Sequence, residues 1–143
     1  MDINSLINLA VSRGCRHYSG TVQETCFDKI VNLSNEELAV MLISSNEPLP
    51  VRVGGMMLGG CKDIETLKTL AKKHNCSGKI KKIAEYALNT ENSDFWRELS
   101  NFEFNETKLL ELPHISRFRS ETGVINPLNP QPKIKWLYPQ ITR

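Results

Sequence analysis

Five of the seven prolines in this chain stand at positions 113, 127, 130, 132 and 139, and that placement divides it into two kinds of sequence. Proline fixes φ near about −65° and gives up its backbone N–H, so no long helix can run through 113–143. The densest part, Asn126-Pro-Leu-Asn-Pro-Gln-Pro132, is predicted to be extended or polyproline-like. Lys133-Ile-Lys-Trp-Leu-Tyr-Pro139 alternates weakly, which suits a single edge strand or an extended arm laid across the rest of the molecule.

Upstream of Pro113 the apolar residues recur at helical spacing. Ile3, Leu6, Ile7 and Ala10 follow Asp2 and stop at Gly14, and a weaker helix is predicted around Cys26, Phe27, Ile30 and Val31. Ser34-Asn-Glu-Glu37 is a capping box, in which the serine oxygen accepts a backbone N–H three residues on and the glutamate can reach back. It opens a helix burying Leu38, Met41, Leu42 and Ile43, which Pro48 and Pro50 end. Pro50 suits the first turn of the next helix, running through Val51, Val53 and Met56-Met-Leu58 to a stop at Gly59-Gly60.

Two more helices flank a basic turn. Asp63 caps one with Ile64, Leu67, Leu70 and Ala71 on a face, and Ser77 caps its neighbour with Ile80, Ile83, Ala84, Ala87 and Leu88. Ser93-Asp94 starts a helix with Phe95, Trp96, Leu99 and Phe102, and a last short one is predicted from Asn105 through Leu109, Leu110 and Leu112. The expected fold is all-α: a helical domain over 1–112, about six to seven short helices packed as a compact bundle or as stacked helical hairpins. Residues 113–143 form an extended proline-rich arm packed on that domain or on a partner.

Composition narrows the function classes without choosing among them. The chain has 143 residues, 40% of them hydrophobic and 24% charged, enough for one domain with its own core. The net charge is only +2, but it is segregated: seven lysines lie between Lys62 and Lys82 against Asp63 and Glu65. Four cysteines are too few for a disulfide-stapled secreted domain, and Met1-Asp2 lacks a basic leader, so a cytoplasmic location with reduced thiols is expected. The longest apolar run, 51–61, is too short to span a bilayer, and no membrane association is expected.

Each candidate chemistry has an ordinary competitor. Residues 63–89 approximate a helix-turn-helix, with Ala71, Asn75 and Cys76 on the motif's small, turn and apolar positions. Ile80 and Ile83 then fall one residue early, about 100° around a helix, so the match is not specific. In that reading Lys72, Lys73, Lys79, Lys81 and Lys82 meet phosphates, joined by Lys133 and Lys135 of the tail. The competitor is a helical hairpin with a solvated basic face.

Gly54-Gly-Met-Met-Leu-Gly-Gly60 has the glycine spacing of a phosphate loop, but Gly60 and Cys61 stand where lysine and a hydroxyl residue are needed. Close helix–helix packing over Gly55 and Gly59, with Gly60 as C-terminal cap, accounts for it better. Cys15, Cys26, Cys76, His17 and His74 lack the paired spacing of a zinc site, so neither metal nor cofactor is expected. Glu36 and Glu37 belong at a helix N-terminus, and no catalytic motif is present.

The arm interleaves cations with rings, through Phe118 beside Arg117 and Arg119, and through Trp136 and Tyr138 beside Lys133 and Lys135. Phe118, Trp136 and Tyr138 are large anchors that lose few rotamers on burial and are the expected partner-binding residues. The first reading is a protein-interaction or adaptor module without catalytic activity, binding another protein or itself, as a homodimer through the arm. The alternative is a nucleic-acid-binding accessory protein using the basic hairpin 62–82 and the basic-aromatic tail.

Overall fold

A computed structural model describes residues 2–23, 32–103, 112–122 and 133–140, with backbone alone for 120–122 and 133–134. The described residues are mostly helical, in the order α1 (Ile3–Ser12), α2 (Asn35–Ile43), α3 (Pro48–Leu58), α4 (Ile64–Lys73), α5 (Ser77–Leu88) and α6 (Asp94–Ser100). Short 3-10 turns at Arg16–Tyr18 and Ile115–Arg117 follow α1 and precede the strands. Strands β1 (Arg119–Thr122) and β2 (Lys133–Trp136) pair antiparallel, with Arg119 opposite Trp136 and Thr122 opposite Lys133. The predicted helices at 26–31 and from Asn105 lie outside the described residues, although Leu112 itself is described and packs against the core.

The caps predicted from side-chain chemistry form. Ser34 Oγ accepts from Glu37 N at 3.1 Å, and Asp63 Oδ1 accepts from Thr66 N at the same distance. Thr66 Oγ1 donates to Asp63 Oδ2 at 2.7 Å, and these bonds hold the Asp63 carboxyl below the usual carboxylate range. Asn75 takes a left-handed φ of 56° after α4. Its N–H reaches Lys72 O at 3.3 Å while Cys76 N reaches Ala71 O at 3.0 Å, the Schellman arrangement that ends a helix and fixes the next one's direction.

Two boundaries differ from expectation. Pro48, not Pro50, opens α3: its missing N–H falls among the unpaired donors of a first turn, where it costs nothing. Cys76, not Ser77, is the N-cap residue of α5, and it makes no side-chain capping bond. Ser77 is instead the helix's first residue and is buried.

The core is organised around α2, whose Leu38, Ala39, Val40, Leu42 and Ile43 are all fully buried. Its closest neighbour is α3, and Gly54 permits that approach. A β-carbon there would stand 2.7 Å from Ile43 Cγ1 and 3.0 Å from the Ile43 backbone nitrogen. The predicted small face of α3 therefore exists, but a different glycine serves the helix–helix contact. Gly55 and Gly59 face the C-terminal arm: a β-carbon on either would lie 2.6 Å from the ring of Phe118 or of Tyr138. Gly60 receives Pro139, 3.0 Å away by the same construction, and the cap residue itself is Gly59.

Four contacts fix the arm. Phe118 and Trp136 stack face to face, with centroids 5.5 Å apart and planes 2° from parallel. Trp96 of α6 meets Trp136 edge-on at 5.3 Å. Tyr18 Oη donates to Arg117 O at 3.5 Å, and Gln140 N donates to Gly14 O at 2.7 Å. Gly14 has a φ of +119°, and a β-carbon on it would collide with the Gln140 carbonyl at 2.5 Å, so two separate reasons require glycine there.

Candidate interaction surface

The structure sorts the predicted site residues into three groups. Phe118 and Trp136 are buried in their own chain and form part of its core. The slot opened by Gly55 and the edge of Trp96 hold them, so neither ring is available to a partner. The expectation of three partner-binding rings therefore narrows to Tyr138, the large apolar side chain among the described residues that is exposed, at 37%.

Lys79 is the second correction. Read as a phosphate contact, it is only 5% exposed. Its Nζ donates to Ser45 O at 2.8 Å and to Ile43 O at 3.4 Å, carbonyls at the C-terminal end of α2 that the helix itself cannot pair. An ammonium there also meets the negative end of the helix dipole. The reason is positional: the first turn of α5, Ser77-Gly-Lys-Ile80, is buried throughout. A recognition helix offers its N-terminal residues to base edges, and α5 has none to offer.

Lys79→Ala is accordingly expected to cost about 1–3 kcal/mol in urea unfolding, since it leaves buried carbonyls without a donor. Lys82→Ala, on the surface, should change stability by less than about 0.5 kcal/mol. Equal costs for the two variants would refute this placement of Lys79.

The remaining cations are on the surface. Lys72, Lys73 and Lys82 are exposed around the α4–α5 turn, with Lys81 half-buried beside them. Lys72 Nζ lies 5.9 Å from the Phe102 ring centroid, and Lys82 pairs with Glu85 at 3.6 Å. Lys135 is exposed on β2, and the side chain of Lys133 lies outside those described.

The thiols show why burial matters more than residue type. Cys15 and Cys61 are buried, and desolvation pushes the Cys15 thiol up to about 12 and Cys61 higher still. Such thiols remain protonated and unreactive near neutral pH. Cys76 is also buried, its Sγ 4.0 Å from Val40 O, whereas His17 and His74 are exposed. Cys26 lies outside the described residues, among which no three His, Cys, Asp or Glu side chains gather as a metal-binding set. No helix among the described residues is long and apolar enough to cross a membrane.

Tyr138 stands between two open clefts. The first, of about 490 Å³, is lined by Lys62, Asp94, Phe95, Trp96 and Glu98 together with Gly59 and Tyr138. The second, of about 530 Å³, carries Arg16, His17 and Lys135 over a floor that includes Met56, Leu137 and Pro139. Tyr138 Oη accepts from Trp96 Nε1 at 2.8 Å, and Glu91 Oε1 accepts from the same N–H at 3.0 Å. The ring is thereby pinned at its hydroxyl and seated on Gly59.

Arg16, Glu91 and Gln140 did not stand out in the sequence, and His17 did so only as a possible metal ligand. They acquire their positions from contacts between distant segments, and no local spacing announces them. Glu36, expected only as a helix N-terminal carboxylate, also reaches across the fold: its Oε1 accepts from Lys62 N at 3.2 Å and Asp63 N at 3.1 Å, tying the first turn of α2 to the α3–α4 connection.

The chain matches no protein-family model, no curated protein and no solved structure. Function has to be read from its own surface.

Proposed function

We propose that this chain is a small, non-catalytic protein-interaction module that meets its partner through the surface around Tyr138. The observation that carries the reading is the ring itself, exposed yet pinned between two open clefts. A large aromatic held in one orientation loses little entropy on binding, which is what makes such residues effective anchors. The clefts beside it offer both apolar floor and charge at the rim.

Placing a photo-crosslinking phenylalanine analogue at position 138 tests this in cells, with the exposed α4 position Thr69 as control. Covalent adducts to one defined partner, or to a second copy of the chain, are expected from 138 and not from 69. Equal yields at the two positions, or none at either, would sink the reading.

The exposed cluster Lys72, Lys73 and Lys82 supports a second reading, non-specific nucleic-acid binding, now without Lys79. It requires affinity for duplex or single-stranded DNA that falls linearly in log salt and disappears when those three lysines become alanine.

A further inference from the structure

We infer that the cleft on the α6 side of Tyr138 receives an arginine side chain of a protein partner. Its guanidinium lies against the rings of Tyr138 and Phe95 and pairs with Glu98. This rests on the reading of the Tyr138 surface as a protein contact and names the chemistry of what that surface takes. Phe95, Tyr138 and Glu98 all line this cleft of about 490 Å³. Phe95 is half-buried while Tyr138 and Glu98 are exposed, so a ligand can reach all three.

The two rings come to one cleft because one indole holds both. Trp96 is fully buried, edge-on to Phe95 at 5.1 Å and tilted against Tyr138 at 6.4 Å between centroids. Its N–H donates to Tyr138 Oη at 2.8 Å, so the wall stands before a ligand arrives. Phe95 and Glu98 are three residues apart on α6, which puts ring and carboxylate on one side of that helix. Aromatic faces attract a cation, and a guanidinium combines that stacking with a forked bond to a carboxylate. Ile64 adds apolar surface for the methylene stem. Asp94 lines the cleft as well, but Arg97 holds its Oδ1 at 2.5 Å, which leaves Glu98 as the pairing carboxylate. Lys62 also reaches the cleft, from the α3–α4 connection. An anionic ligand would gain Lys62 but face Glu98 and two ring faces, so the balance favours a cation.

The test is a two-dimensional NMR titration of the intact, isotope-labelled chain with a blocked peptide, Gly-Leu-Arg-Leu-Gly. Peptides with citrulline or glutamate in place of arginine serve as comparison ligands, citrulline keeping the shape without the charge. The arginine peptide is expected to give saturable shifts of the Trp96 indole and of the Phe95 and Glu98 amides. The citrulline peptide should bind about tenfold more weakly, as loss of the charge against both rings and carboxylate implies. Glu98→Gln should weaken arginine binding about threefold to tenfold, and Phe95→Leu about twofold to fivefold. Lys62→Gln should strengthen it about twofold by removing a like charge. Glu47→Gln, which alters an exposed carboxylate outside the cleft, should leave it unchanged.

No saturable shifts with the arginine peptide, equal affinity for the citrulline peptide, or equal loss in Glu47→Gln would each overturn the inference. Tighter binding of the glutamate peptide would overturn it too, assigning the cleft to anions through Lys62. If crosslinks from position 138 persist in excess arginine peptide and in Glu98→Gln, the interaction reading stands and the arginine ligand falls. If the arginine peptide binds as described while position 138 captures nothing in cells, the arginine site stands and the interaction reading falls.

Discussion

Trp96→Ala is expected to remove about 3–5 kcal/mol of stability, the usual range for deleting a fully buried large aromatic. Trp96 is completely buried and is the point where helical body and arm meet. It contacts Trp136 edge-on at 5.3 Å, Phe95 at 5.1 Å and Tyr138 at 6.4 Å between centroids. Truncation leaves a void that packed neighbours can fill only in part, and it deprives Tyr138 Oη and Glu91 of their shared donor. Urea unfolding followed by far-ultraviolet circular dichroism gives the number. Trp96→Phe separates the two causes, because it keeps most of the packing and loses only the N–H. A cost below about 1 kcal/mol for the alanine variant would mean that the arm does not seat on Trp96 as described.

Ending the chain after residue 132 should have an effect of similar or greater size. The deletion takes away Trp136, which stacks on Phe118, and with it the partner strand of β1. It also uncovers Gly59 and Gly60 and removes the Gln140–Gly14 bond. The body would then expose Trp96 and Phe118 to water, each large enough to make that exposure costly. The expected result is loss of near-ultraviolet ellipticity and a broadened, weakened unfolding transition, with helical ellipticity partly kept. A truncated chain that unfolds as sharply and at the same denaturant concentration as the intact one would show the arm to be dispensable.

What could be read in advance was local. Ser34 and Asp63 announce helix starts because their side chains accept backbone N–H groups three residues on, and Asn75 announces a helix end because asparagine tolerates a left-handed φ; both effects depend little on the rest of the molecule. The all-α class followed from apolar spacing for the same reason. Lys79 was misjudged because spacing alone reports which residues share a face, and only the position of α2 makes that face internal. The α3 glycines were recognised as a close-packing surface, but their occupants, Phe118, Tyr138 and Pro139, come from far along the chain. Arg119–Thr122 has no alternation that distinguishes it as a strand, and it becomes one because Lys133–Trp136 lies beside it. The cleft beside Tyr138 is of the same kind: Arg16, His17 and Lys135 meet there because topology brings distant segments together.

The bond between Gln140 and Gly14 has a consequence for how the protein is made. Synthesis proceeds from the N-terminus at about 5–20 residues per second, and a domain's early segments wait for their late partners. Helices α1 to α6 are synthesised before the segment that covers α3 has been added. During that interval the nascent chain carries an open trough along Gly55, Gly59 and Gly60, with Trp96 unshielded beside it. Holdase chaperones bind such surfaces, and neighbouring unfinished chains can stick to them. The seconds before Trp136 and Tyr138 emerge are therefore the period in which this protein is most exposed to misassembly.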